Sequence, residues 1–124
     1  VAAEACVETG KAWFIGVDSD QELTFAPELA ANTLTSGLKN IGDAIIWIFD
    51  QWDAGNTFWG TQVKLGIAEG GVGIVTDKNF TKLPQAVQDA VLNAQAQIIA
   101  GEIVVDSAIS DNEGAMALRD SVQP

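Results

Sequence analysis

Histidine and tyrosine are both missing from this 124-residue chain. Without histidine there is no proton shuttle that titrates near neutral pH, and the commonest metal ligand is gone. A Ser-His-Asp or Cys-His nucleophile cannot be assembled from these residues alone. Cysteine occurs once, as Cys6, so no disulfide can form within the chain. Cys6 lies in an apolar, helix-like stretch and reads as a small buried hydrophobe rather than a reactive thiol. Basic residues are scarce too: six Lys and Arg stand against 17 Asp and Glu, for a formal charge of −11. Nucleic-acid binders need clustered cations to displace counterions from phosphates, so DNA and RNA are excluded as partners. An anionic membrane surface is disfavoured on the same ground. Long apolar runs are lacking as well. The longest, Ala44 to Phe49, is far short of the ~20 residues that cross a bilayer. No signal peptide is legible, since the chain opens at Val1 without a basic leader or a cleavage motif.

What is present is an apolar fraction of 48%, enough to argue against disorder. The length fits one domain with a real core. Helix-like and strand-like patches alternate, which predicts an α/β fold. Residues 1–9 read as a helix closed by Gly10. The run Ala12 to Val17 is apolar without alternation, as in a parallel strand buried on both faces. It stops at Asp18-Ser19-Asp20-Gln21-Glu22, and a loop containing Pro27 follows. Thr33 to Ser36 reads as a short strand. From Asn40 the pattern turns helical, with Ile41, Ala44, Ile45, Ile48 and Trp52 at three- and four-residue spacing. Ile46, Trp47 and Phe49 spread the apolar surface around most of that helix, which predicts cover on more than one side. Gly55 and Asn56 end it.

Residues 61–68 alternate polar and apolar, and Gly70-Gly71 marks a turn before Val72-Gly73-Ile74-Val75. This pair reads as a hairpin. Pro84 suits the first position of a helix whose stripe is Val87, Val91, Ala94 and Ile98, capped by Gly101. Glu102 to Val105 reads as a final strand, and residues 106–124 as a polar surface tail. The expected division is therefore 1–105 as a folded unit and 106–124 as a tail.

The acidic cluster after the first strand is the most informative element for function. Ligands of open parallel sheets bind beyond the carboxyl ends of the strands. Asp18 stands there and carries two readings. It can accept hydrogen bonds from neighbouring hydroxyls, as on a sugar ring, or it can cap a turn or helix. Asp18, Asp20 and Glu22 alternate like the start of an EF-hand loop. That reading fails, because the sixth position is Leu23 instead of glycine and the twelfth is Leu29 instead of glutamate. Gly70-Gly71-Val72-Gly73 lies between two expected strands, so it reads as a tight turn rather than a phosphate loop. Asn79-Phe80-Thr81 fits the glycosylation pattern, which arises often by chance. Trp13, Trp47, Trp52 and Trp59 read as core or interface residues rather than a ligand cage. No metal site and no cofactor site is indicated.

The segment Phe14-Ile15-Gly16-Val17-Asp18-Ser19-Asp20-Gln21 resembles a signature of the basic-membrane-protein family of ABC-transporter substrate-binding proteins. Three later segments agree in order. Thr35-Ser36-Gly37-Leu38-Lys39-Asn40 resembles the family's TS-x-x-K segment before its long helix. Gly66-Ile67-Ala68-Glu69-Gly70-Gly71-Val72-Gly73 resembles its glycine-rich hairpin. Leu83-Pro84 with Ile98 to Ile103 resembles its closing helix and strand. The resemblance covers residues 1 to about 105.

It implies part of the C-terminal lobe of a type I periplasmic-binding-protein fold, Rossmann-like with a parallel sheet. It further implies a non-enzymatic receptor that binds a purine or other nucleoside between two lobes and hands it to an ABC permease. The parent protein would sit in the periplasm or at the cell surface on a lipid anchor. By the same resemblance Asp18 would bind ribose hydroxyls and Lys39 would reach the ligand or brace Asp18, with Asp20 and Gln21 in support. The N-terminal lobe and the first part of the C-terminal lobe have no counterpart in these residues, so the chain is expected to be a C-terminal piece that self-associates through exposed edges. Two other readings stay open. One is a ligand-sensing regulatory domain on the same fold. The other is an assembly module without a ligand, held together through Trp47, Phe49 and Trp52.

Overall fold

A computed structural model describes residues 1–105 and 111–122. The order is α1 (Ala2–Thr9), β1 (Phe14–Asp18), a short 3-10 helix (Gln21–Leu23), α2 (Pro27–Ala31), β2 (Thr33–Lys39), α3 (Ile41–Asp53), β3 (Val72–Ile74), a second 3-10 helix (Lys78–Lys82), α4 (Gln85–Ile99) and α5 (Asn112–Val122). The three strands form one sheet in the order β1-β2-β3. β1 and β2 run parallel, with Phe14 opposite Thr33 and Asp18 opposite Leu38. β3 is antiparallel to β2, with Gly37 opposite Ile74 and Lys39 opposite Val72. The chain is therefore a mixed α/β structure with a parallel pair, as a partial periplasmic-binding-protein-like fold has.

The central strand buries hydroxyls rather than hydrocarbon. Thr33, Thr35 and Ser36 are all buried. Buried polar groups require partners, and each has one. Thr33 Oγ1 donates to Leu29 O at 2.9 Å, and Thr35 Oγ1 donates to Val75 O at 2.6 Å. Ser36 Oγ accepts the Gln21 amide at 3.2 Å. The apolar part of the core is small, centred on Ala3, Val75 and Phe80.

The helices largely follow their periodicity. α1 ends at Gly10, whose backbone is left-handed (φ 60) and whose amide donates to Cys6 O and Val7 O. α3 begins after Asn40, whose amide and side chain donate to Gly71 O and Gly70 O, both at 2.9 Å. That tie holds the helix start to the glycine turn. α4 starts one residue after Pro84, whose carbonyl accepts the Val87 and Gln88 amides. Its Val91, Ala94 and Ile98 line an apolar cleft against Val72 and Ile74, but Val87 is exposed.

Several expectations are corrected. β1 is not covered on both faces, since Ile15 and Val17 are 57% and 63% exposed. Only its other face packs. Phe14 lies against Phe25 with ring centroids 5.7 Å apart, and Gly16 is buried beside Ser36. Pro27 does not sit in a loop but opens α2, where its missing amide hydrogen is not needed. Residues 61–68 form no strand, and β3 pairs with β2 instead of closing a hairpin. The backbone there is satisfied by a turn. Glu69 Oε2 accepts the Gly66 amide at 2.7 Å, and Gly71 donates to Gly66 O at 2.9 Å. Glu102 to Val105 is irregular and exposed, with no strand beside it among the described residues. The tail contains α5, capped by Asp111, whose Oδ1 accepts the Gly114 amide at 2.9 Å. The remainder of the tail reading, 106–110 and 123–124, lies outside the described residues.

Candidate functional site at the carboxyl edge of the parallel strands

Because β1 and β2 run parallel, with Asp18 opposite Leu38, both end at the same edge of the sheet. Asp18 closes β1 and Lys39 closes β2. Asp18 has a φ of 70, a left-handed backbone that a residue with a Cβ adopts at a cost of about 1–2 kcal/mol. The turn it starts swings the chain across the edge into the 3-10 helix at Gln21–Leu23.

Asp20 and Gln21 have separate jobs in this turn. Asp20 Oδ1 accepts the Glu22 amide at 3.2 Å and so caps the 3-10 helix. Its other oxygen pairs with the Lys78 ammonium, at the start of the second 3-10 helix. Gln21 donates from its amide to Ser36 Oγ and from Nε2 to Val17 O, both at 3.2 Å. It thereby ties the turn to both parallel strands. Gly16 makes room for this: a Cβ there would lie 2.2 Å from Ser36 Oγ and 3.2 Å from Gln21 Cβ.

The four residues singled out from sequence thus come together at one edge, in two environments. Asp20 and Gln21 are half-buried and engaged with the protein, whereas Asp18 and Lys39 are exposed. Among the described residues, Asp18 and Lys39 form no ion pair with each other or with a third group. Gln21 Oε1 and Glu22 Oε2 are buried acceptors without a protein partner among those residues. The Asp18 carboxylate is the acceptor that this turn leaves exposed, chemically suited to hydroxyl donors rather than to anions.

Lys78 is the participant that the sequence did not reveal, because it meets Asp20 across 58 positions with no local motif. Its hydrogen bond to the Asp20 carboxylate raises its pKa above the ordinary 10.5; desolvation opposes the shift and the Asp20 and Asp77 charges reinforce it. Among the described residues there is no group of three or more His, Cys, Asp or Glu side chains placed to hold a metal ion. No helix there is long and apolar enough to cross a membrane.

Residues 1–108 match the family described as "ABC transporter substrate-binding protein PnrA-like". The chain is 32% identical over 105 residues to the "ABC transporter nucleoside-binding protein BmpA" of Lactococcus lactis subsp. cremoris (strain MG1363), a match covering 81% of this chain and 29% of that protein. It is 30% identical over 95 residues to "Basic membrane protein B" of Borrelia garinii subsp. bavariensis (strain ATCC BAA-2496 / DSM 23469 / PBi), covering 74% of this chain and 26% of that protein. The chain belongs to the Bmp family of ABC-transporter substrate-binding proteins. The family's description is one of binding, not of an enzyme. The chain spans less than a third of the length of these two relatives.

Proposed function

We propose that residues 1–105 form part of the C-terminal lobe of a solute receptor that delivers a purine or other nucleoside to an ABC-type permease, with residues 106–124 as an appended tail. In this reading the complete receptor works in the periplasm or at the cell surface on a lipid anchor. The nucleoside lies between two lobes, and this chain supplies one wall. Asp18 accepts hydrogen bonds from the ribose hydroxyls, while Lys39 reaches the ligand or braces that carboxylate. Asp20 and Gln21 hold the turn from behind.

The observation that carries the proposal is Asp18 itself, held left-handed at the carboxyl end of a parallel strand with its carboxylate exposed. Backbone strain of this kind persists where the surroundings enforce it, and it concentrates at ligand sites. An exposed carboxylate favours a neutral polyhydroxyl ligand over an anionic one. The BmpA relative, described as nucleoside-binding, supports the choice of class.

Calorimetric titration of the full-length receptor with a panel of nucleosides tests this. Two charge-assisted hydrogen bonds at Asp18 predict that Asp18→Ala weakens binding by about a hundredfold or more. Binding that survives intact in the variant moves the site elsewhere. Absence of binding by the wild-type protein to every nucleoside ends the nucleoside reading.

A further inference from the structure

The turn that carries Asp18 is anchored at both ends of its short length. Its near side is fixed by Gln21, through Ser36 Oγ and Val17 O. Its far side is fixed by Asp20, which reaches Lys78 beyond β3. Lys78 is itself held in an unusual backbone state, with a φ of 49. Asp18 and Lys78 are the two non-glycine residues with positive φ among those described. Asp18 begins the turn and Lys78 secures it. The Lys78 ammonium also contacts Asp77 at 3.4 Å, so two carboxylates hold its position. The adjacent Asn79 is buried and donates to Thr33 O at 2.7 Å, which locks the backbone behind Lys78 onto β2. The lysine therefore projects from a fixed platform, not from a loose loop.

We infer that Lys78 is a positioning residue for the ligand site: through Asp20 it fixes the Asp18 turn, and so it sets nucleoside affinity without touching the nucleoside. This deepens the receptor proposal and rests on it. A partly exposed ion pair is a modest tether. The expected effect is a graded loss of affinity, in contrast to the loss of about a hundredfold or more expected when Asp18 is truncated.

The test uses the full-length receptor, titrated calorimetrically with the tightest-binding nucleoside of the panel. Lys78→Met weakens binding about threefold, and Lys78→Arg, which keeps the charge, restores it. Asp20→Asn keeps an oxygen for the Glu22 amide but loses the charge. Adding Lys78→Met to it produces no further loss, because both changes break the same tether. In the ligand-free protein, Lys78→Met speeds hydrogen exchange at the Gln21 and Glu22 amides and leaves that of the Val75 amide unchanged. A role confined to stability would lower the unfolding midpoint while leaving affinity and local exchange as they were, and that result overturns the inference. Unchanged affinity in Lys78→Met beside lost binding in Asp18→Ala overturns the Lys78 role alone. A wild-type receptor that binds no nucleoside overturns both readings together.

Discussion

The Asn79 side chain donates to Thr33 O at 2.7 Å and to Ala30 O at 2.8 Å, bridging two segments that lie 46 and 49 positions away. It is buried, so no solvent replaces these bonds when the amide is removed. Asn79→Ala is expected to destabilise the chain by about 2 kcal/mol, because it orphans a buried carbonyl. Denaturant unfolding followed by tryptophan fluorescence measures this. The same geometry leaves no room for a glycan, although Asn79-Phe80-Thr81 fits the acceptor pattern. Folded protein secreted from a glycosylating host should carry no added mass at Asn79, and a glycosylated, natively stable species would contradict the packing.

Gly16→Ala should destabilise by about 1–3 kcal/mol, the range for overpacking a filled site. The new methyl would lie 2.2 Å from Ser36 Oγ and 3.0 Å from Ser36 Cβ. Adding Ser36→Gly removes the obstructing atoms, so the double variant should be more stable than the sum of the single changes implies. Strict additivity of the two unfolding free energies would show that the clash is relieved elsewhere.

Asp18 is expected to separate stability from function. Glycine adopts φ 70 without Cβ strain, so Asp18→Gly should keep the unfolding free energy or raise it by up to about 1 kcal/mol. The same variant of the full-length receptor should lose nucleoside binding. A thermal melt beside a titration checks the pair of outcomes. A destabilised Asp18→Gly would mean that the carboxylate serves the fold.

The Lys78 pairing gives a pH dependence of definite sign. Its folded pKa is raised above 10.5, the ordinary and unfolded value. The stabilisation is therefore fully present below that value and lost as pH rises through the folded pKa. As pH rises above about 10.5 the unfolding midpoint of the wild type should fall more steeply than that of Lys78→Met. Parallel slopes would remove Lys78 from the account.

Ile45, Ile48, Phe49 and Trp52 lie on one face of α3, and all four are exposed. A contiguous apolar face of this kind drives association in water. The 124-residue chain is expected to self-associate in light scattering, and Phe49→Glu should shift it toward monomer. A wild-type chain that stays monomeric would mean this face is tolerated in solvent.

Much of the helical framework was legible because glycines mark its ends: Gly10, Gly55 and Gly101 all take positive φ, at 60, 82 and 74. Strand partners were harder to read. Alternation in 61–68 imitates a strand, but alternation describes side chains and says nothing of where backbone hydrogen bonds go. The partner of β3 is β2, which no local pattern announces. Pro27 opens α2 without announcing it, because a proline that breaks a helix and one that starts a helix are identical in isolation. At the edge, the place of Asp18 at the end of a strand was legible from its position after an apolar run. Its left-handed backbone and the Asp20–Lys78 pair were not legible, since both come from tertiary packing.

The strand order β1-β2-β3 also carries a history. Phe14 meets Thr33 only 19 positions on, whereas Lys39 meets Val72 across 33. Closing the shorter loop sacrifices less chain entropy, so β1 and β2 pair more readily than β2 and β3. The parallel half of the sheet can thus pair before β3 joins it. Asp20 and Gln21 are within that early half, but Lys78 is not. The carboxyl edge would first take shape as a loosely held arc and gain the Asp20–Lys78 pair only when β3 arrives and brings the lysine with it.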